Sequence, residues 1–245
     1  MQPDLRLVKE RFERNLAKYD ECAVVQKDTA RKLSLETAKI RKDFAKVFEL
    51  GCGTGLLTKE LIKHINYEKY ILNDITEHAK YYIMFILSDF MFITGNAAET
   101  RYPKNTDLII SNAVFQWISD LNAVKGLVLN SLNKNGILAF STFGRENFRE
   151  IKDVLGLSLD YLTKDEIIKI LGSDFKILHS EEYTTALEFE TPYEILAHIK
   201  NTGVNSLTPV SWTIKDFHDF DKNYRSKYKD VKLTYNPVII IAEKI

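Results

Sequence analysis

The chain has 245 residues, with 34 Lys and Arg balanced by 34 Asp and Glu and 45% hydrophobic residues, a composition that suits one large α/β core. Zero formal charge excludes a protein that coats nucleic acid electrostatically, since such binders need a cationic excess to displace counterions. Cys22 and Cys52 are too few for a disulfide framework and lack the spacing of a structural zinc site, and the charged first ten residues contain no apolar run, so the expectations are a reducing cytoplasm, no metal and no membrane span.

In chain order, Val8, Phe12, Leu16, Tyr19, Ala23, Gln26, Ala30 and Leu33 recur at steps of three or four, which predicts one or two helices over residues 1–46. Val47 to Leu50 is a short apolar strand that runs into a glycine-rich turn and then the amphipathic stretch Leu56 to Ile65. Tyr70 to Leu72 predicts a second strand ending at Asn73-Asp74, followed by helix to about Leu87. Further strands are expected at Met91 to Ile93, Asp107 to Ser111 and Ile137 to Phe143, with a helix over Phe115 to Leu132. The last third holds two long strand-like runs, Asp174 to Phe189 and Val231 to Ala242, around helical patterns at Tyr193 to Lys200 and Ile214 to Tyr224. Alternating strands and helices predict βαβ units in a parallel sheet with helices on both faces. The two late runs predict an antiparallel pair at its edge, and the insertion over residues 190–230 a lid. No linker marks a boundary, so residues 1–245 read as one domain.

The most informative segment is Glu49-Leu50-Gly51-Cys52-Gly53-Thr54-Gly55. Glycines on a strand-to-helix turn let a ligand approach the main chain without meeting a Cβ. Asp74 ends the next strand about 20 residues later, where a carboxylate can accept from ribose hydroxyls. An adenosine-bearing ligand follows from this context. The turn reads GxGxG and not the GxGxxG of a dinucleotide site, and Glu49 suits a cationic amino group better than a pyrophosphate. Cys52 reads as a small filler between glycines, and Asp74 can also cap the following helix.

This arrangement resembles motif I of the class I S-adenosylmethionine-dependent methyltransferases, which have a Rossmann-like, seven-stranded, mostly parallel sheet. The resemblance implies that Glu49 to Gly55 hold the methionine part, that Asp74 with Ile75 holds ribose, and that Asn96-Ala97-Ala98 meets adenine. The family commonly has Asp where Asn96 stands, and an amide oxygen can accept from the adenine amino group in its place.

Asn112 stands at a strand's carboxyl end, where α/β sheets bind ligands, with Gln116-Trp117 one helical turn further on. Gln26 interrupts an apolar stripe, and a buried amide needs partners, either backbone or ligand. Tyr19 on the same stripe needs a polar neighbour for its hydroxyl. Together with Phe143-Gly144-x-x-Asn147-Phe148-x-Glu150-Ile151 and Gly156 to Leu162, these segments resemble the malonyl-acyl-carrier-protein O-methyltransferases of biotin synthesis, from about Phe12 to about Leu171.

The resemblance implies methyl transfer from S-adenosylmethionine to the free carboxylate of a malonyl thioester, leaving S-adenosylhomocysteine. The acceptor is malonyl-acyl-carrier protein or malonyl-CoA, and the expected form is a monomer. A carboxylate is already ionised at pH 7, so no general base is needed. Arg145 is expected to pair with the malonyl carboxylate, helped by Tyr19 and Gln116, with Trp117, Asn147 and Phe148 against the substrate; a solvated loop charge is the alternative for Arg145. Gln26 and Asn112 are assigned to the cofactor. An acidic carrier protein would dock on Arg6, Lys9, Arg11, Arg14 and Lys18, or on Lys27, Arg31 and Lys32. The rival readings are a methyltransferase of another small carboxylate, and an assembly factor or hydroxylase that keeps the pocket without methyl transfer.

Overall fold

Helix α1 (Leu5–Cys22) starts at Asp4, whose carboxylate accepts from the Arg6 and Leu7 amides, and a break at Ala23 separates it from α2 (Val24–Ile40). A computed structural model describes residues 4–202 and 212–245, so residues 203–211 of the expected lid lie outside the described residues. The chain continues through β1 (Asp43–Leu50), α3 (Leu56–Leu61), β2 (Asn66–Asp74), α4 (Ala79–Ile83), β3 (Met91–Thr94) and β4 (Thr106–Asn112). There follow α5 (Leu121–Ser131), β5 (Leu132–Phe143), α6 (Arg149–Leu155), α7 (Lys164–Leu171), β6 (Phe175–Glu182) and β7 (Thr185–Glu188). The last elements are α8 (Pro192–Asn201), α9 (Ile214–Lys227), β8 (Lys232–Tyr235) and β9 (Pro237–Lys244).

Seven strands form one sheet in the order β3-β2-β1-β4-β5-β9-β6, parallel except for β9, which runs antiparallel to both β5 and β6. The strand-helix alternation predicted the parallel sheet, and its seven-stranded Rossmann-like form is the one the resemblance implied. Both faces are covered, which is why the central strands read as continuous apolar runs. Val47, Leu72, Leu108 and Ile239 pack against Leu33 of α2 and Leu57 and Leu61 of α3. Phe48, Ile109, Leu138 and Ile240 pack on the other side against Val124 and Val128 of α5 and Ile167 and Leu171 of α7. The strand order reverses between β1 and β4, and at such a switch point the two loops diverge and leave a crevice at the strands' carboxyl ends.

Three expectations are corrected. The helix expected from Phe115 starts only at Leu121, where the Asp120 carboxylate accepts from the Asn122 and Ala123 amides; Phe115–Trp117 is a single 3-10 turn. The helix expected up to Leu87 is regular only over Ala79–Ile83. Each late run is two strands: β6 and β9 belong to the main sheet, whereas β7 and β8 pair only with each other in a separate ribbon. The insertion sits at the end of that ribbon. Ile195 and Ile199 of α8 and Phe220 and Tyr224 of α9 bury with Phe143, Phe148, Leu233 and Tyr235 in a third apolar cluster. No helix of the described residues is long and apolar enough to cross a membrane.

Candidate active site

The glycine turn between β1 and α3 adopts conformations that demand glycine. Gly51 and Gly55 have φ of +64° and +79°, and a Cβ on either would lie 2.2 Å from Val114 Cγ2 or Ile86 Cδ1. Asp74 at the end of β2 braces the turn: one oxygen accepts from Gly53 N at 2.8 Å, the other from Thr76 N at 3.0 Å. Burial outweighs these bonds and pushes its carboxyl up to about 6. Cys52 is buried with its thiol pushed well up, as suits an inert filler. Glu49 lies fully buried beneath the turn, where Oε2 accepts from Thr58 at 2.9 Å and Tyr70 at 2.5 Å while Oε1 has no partner. Burial pushes this carboxyl up to about 7.

A cleft of about 1050 Å³, solvent at its mouth included, opens over the turn at the switch point. The structure brings thirteen of the expected site residues to its wall: Tyr19 and Gln26 from α1 and α2; Gly51, Cys52, Gly53 and Thr54 from the turn; Asp74, Ile75, Asn96 and Ala97 from the ends of β2 and β3; and Asn112, Gln116 and Trp117 after β4. Glu49, Gly55 and Ala98 support that wall without lining it; the Ala98 amide donates to Asn96 Oδ1 at 3.0 Å, which shapes the loop after β3.

The surroundings of two wall residues, Asn112 and Gln26, differ. Both ends of the Asn112 amide are taken: Oδ1 accepts from Thr29 at 2.8 Å and Ser141 at 2.6 Å, and Nδ2 donates to the Gln26 backbone carbonyl at 3.0 Å. Asn112 therefore ties α2 to the tips of β4 and β5. Gln26 is 2% exposed, and its buried Oε1 has no partner among the described residues. A buried acceptor left without a donor costs about 1–3 kcal/mol.

Arg145, Asn147 and Phe148 are not brought to the cleft. Asn147 Oδ1 accepts from Asn236 N at 3.2 Å and Nδ2 donates to Tyr161 at 2.9 Å; Phe148, at φ 56°, donates its amide to Thr234 O at 2.7 Å. Buried Glu150 accepts from the Thr234 amide at 2.9 Å and hydroxyl at 2.5 Å, and a Cβ on Gly144 would lie 2.4 Å from Asn236 Oδ1. The motif after β5 is thus a clamp on the strand pair that carries the helical insertion. It turns Arg145 outward, 58% exposed, onto Glu166 at 2.5 Å.

The sequence reading missed the roof. Leu5, Val8 and Phe12 of α1 cover the cleft, and Thr202 at the end of α8 closes one side. Two carboxylates seven residues apart strap α1 down: Thr54 donates to Asp20, and Thr76 donates to Glu13 at 2.5 Å. That spacing on one helix face, beside Phe12 and Tyr19, was the signal available.

Among the described residues the wall holds the Asp74 carboxylate and no Lys, Arg or His. Such a surface accepts a cation and repels a pyrophosphate. Burial pushes the Tyr19 phenol up, so it stays a neutral donor. No cluster of three or more potential metal ligands occurs among the described residues.

The family model described as "Methyltransferase domain" matches residues 41–191. The chain is similar to a malonyl-[acyl-carrier protein] O-methyltransferase of Calditerrivibrio nitroreducens, 36% identical over 92% of this chain and 91% of that one. One of the same name from Bacteroides thetaiotaomicron is 33% identical over 97% of each. In fold it is similar to the N-methyltransferase NodS of Bradyrhizobium japonicum, solved with S-adenosyl-L-homocysteine, at TM-score 0.56 and 12% identity over 97% of this chain and 98% of that one. The chain belongs to the malonyl-[acyl-carrier protein] O-methyltransferase family.

Proposed function

We propose that this protein transfers the methyl group of S-adenosylmethionine to the free carboxylate of a malonyl thioester on acyl-carrier protein or coenzyme A, the ester that opens pimelate synthesis for biotin. The observation that carries the reading is a cleft over a glycine turn whose wall, among the described residues, holds a carboxylate and no cationic side chain. The cofactor supplies an activated methyl on a cationic sulfur. Gly51 and Gly53 give its methionyl end access to the backbone, and Gln26 lines the wall beside that end. Asp74 has lone pairs left for the ribose hydroxyls, and Ile75, Asn96 and Ala97 flank adenine.

The substrate side is formed by Tyr19, Gln116 and Trp117. Gln116 Nε2 spends one hydrogen on Ala113 O at 2.6 Å and has another to offer. The Tyr19 hydroxyl and this N–H orient the malonyl carboxylate, in place of Arg145. A carboxylate oxygen forms the new C–O bond as the S–CH3 bond breaks, and the electron pair stays on sulfur. Opposite charges are neutralised in the transition state, so a roof of Leu5, Val8 and Phe12 that excludes water favours the step. The free Cys22 and Cys52 fit the reducing cytoplasm where acyl carriers work.

The test is methyl transfer to malonyl-acyl-carrier protein, malonyl-CoA, malonate and trans-aconitate. Methyl esters of the thioesters, and rescue of a biotin auxotroph lacking this step, are expected. Transfer only to free dicarboxylates would replace the reading with that of a small-carboxylate methyltransferase, and no transfer at all would favour a cofactor-binding protein without it.

A further inference from the structure

The ladder between β2 and β3 ends at Asp74 and Thr94, and β3 is an edge strand of only 4 residues, so the loop that follows has little sheet to hold it. Side chains take over from the ladder. Asn73, buried at the tip of β2, donates from Nδ2 to Ile93 O and to Gly95 O, each at 2.9 Å. Two carbonyls can be met only by an NH2, so these contacts fix which way round the amide sits. Its Oδ1 is left buried without a partner among the described residues, a cost of about 1–3 kcal/mol that an apolar side chain would not incur. The carbonyl of the same residue accepts from Cys52 N at 3.0 Å, and Asp74 O accepts from Gly95 N at 2.8 Å. The tip of β2 thus holds both the glycine turn and the loop after β3. Further along that loop the buried Tyr102 hydroxyl donates to Ala97 O at 2.9 Å, its ring edge-to-face with Phe48 of β1 at 5.1 Å between centroids. Between these anchors lie Asn96 and Ala97, which line the cleft.

We infer that Asn73 and Tyr102 are positioning residues for the purine of the cofactor: they fix the loop from Gly95 to Ala98 relative to the glycine turn, at the place where Asn96 reads the amino group at C6. The inference rests on the proposal that S-adenosylmethionine occupies the cleft with its adenine against Asn96 and Ala97. Asn96 Oδ1 spends one lone pair on the Ala98 amide and keeps another. An acceptor there distinguishes the C6 amino group of adenine from the C6 carbonyl of hypoxanthine. Such a bond needs its partners within about 2.7–3.2 Å and well aligned, so a loop released from its anchors gives up the bond while apolar contact with the ring survives. A role confined to stability would not favour one purine over the other.

The experiment is isothermal titration of the whole protein with S-adenosylhomocysteine and with S-inosylhomocysteine, whose purine carries a carbonyl at C6 and a hydrogen on N1. The parent should prefer the adenosyl ligand about tenfold, since the carbonyl of the other would face an acceptor. Tyr102→Phe, which keeps the ring on Phe48, and Asn73→Ala should each reduce that preference about fivefold, the scale of one neutral hydrogen bond. The change should come from weaker binding of the adenosyl ligand, with the inosyl ligand within about twofold of the parent. In turnover the same variants should raise KM for S-adenosylmethionine and leave kcat with the malonyl thioester near that of the parent. Should Asn73→Ala fail to fold, Tyr102→Phe, which loses a single hydroxyl, decides the matter by itself. Equal weakening of both ligands means loss of structure instead of positioning and overturns the inference, as do unchanged binding of both and a parent with no preference between them. A parent that binds neither ligand would overturn the cofactor reading itself.

Discussion

Replacing Glu49 by Gln isolates the energetic consequence of burying a carboxylate beneath the glycine turn. The folded protein holds the Glu49 proton up to about pH 7, whereas the unfolded chain releases it near the ordinary value of 4.5. Between those limits the native state binds more protons than the unfolded state, so this group's contribution to stability falls as pH rises from about 4.5 through about 7 and is level above that. The interval corresponds to about 3 kcal/mol in favour of the neutral side chain at high pH. Gln can keep an acceptor where Oε2 receives the Tyr70 and Thr58 hydroxyls, and its NH2 then occupies the orphaned Oε1 position at a cost that does not vary with pH. Asp74, pushed up to about 6, slopes the same way and largely cancels in the comparison of parent with variant. The assay is urea unfolding at pH 5 and pH 8.5. The stability of Glu49→Gln relative to the parent should improve by about 2–3 kcal/mol from the lower pH to the higher, or about 5–10 °C in melting temperature. A difference that is the same at both pH values would refute the argument that the buried carboxyl is protonated near neutrality.

Gly51→Ala places a methyl 2.2 Å from Val114 Cγ2 at φ +64° and should abolish binding of S-adenosylmethionine by calorimetry. Gly126→Ala, within α5 and with nothing within 4 Å, should instead stabilise by about 0.5–1 kcal/mol in the same preparation. Asp20→Asn loosens the strap from α1 to Thr54 and should speed cofactor release about fivefold in stopped flow with Trp117 fluorescence as reporter; an unchanged rate would mean that α1 does not gate the cleft. Arg145→Ala should leave KM for malonyl-CoA within about twofold, because Arg145 pairs with Glu166 outside the cleft; a tenfold rise would return it to the site.

What was legible in the sequence is what local physics dictates. Apolar runs alternating with amphipathic stretches required a covered parallel sheet, Gly51, Gly53 and Gly55 required a backbone open to a ligand, and Asp74 followed at the end of the next strand; all of these are relations between near neighbours. Tertiary structure decided the roles of polar residues, because a polar side chain is defined by its partner and the partner is usually remote in the chain. Asn112 is occupied by Thr29 and Ser141, Asn147 and Glu150 grip Asn236 and Thr234, and Arg145 is turned outward by that grip. Periodicity showed that Phe12 and Tyr19 share an apolar stripe, and only the packing of α1 across the switch point, with Asp20 on Thr54 and Glu13 on Thr76, made that stripe the roof of the cleft.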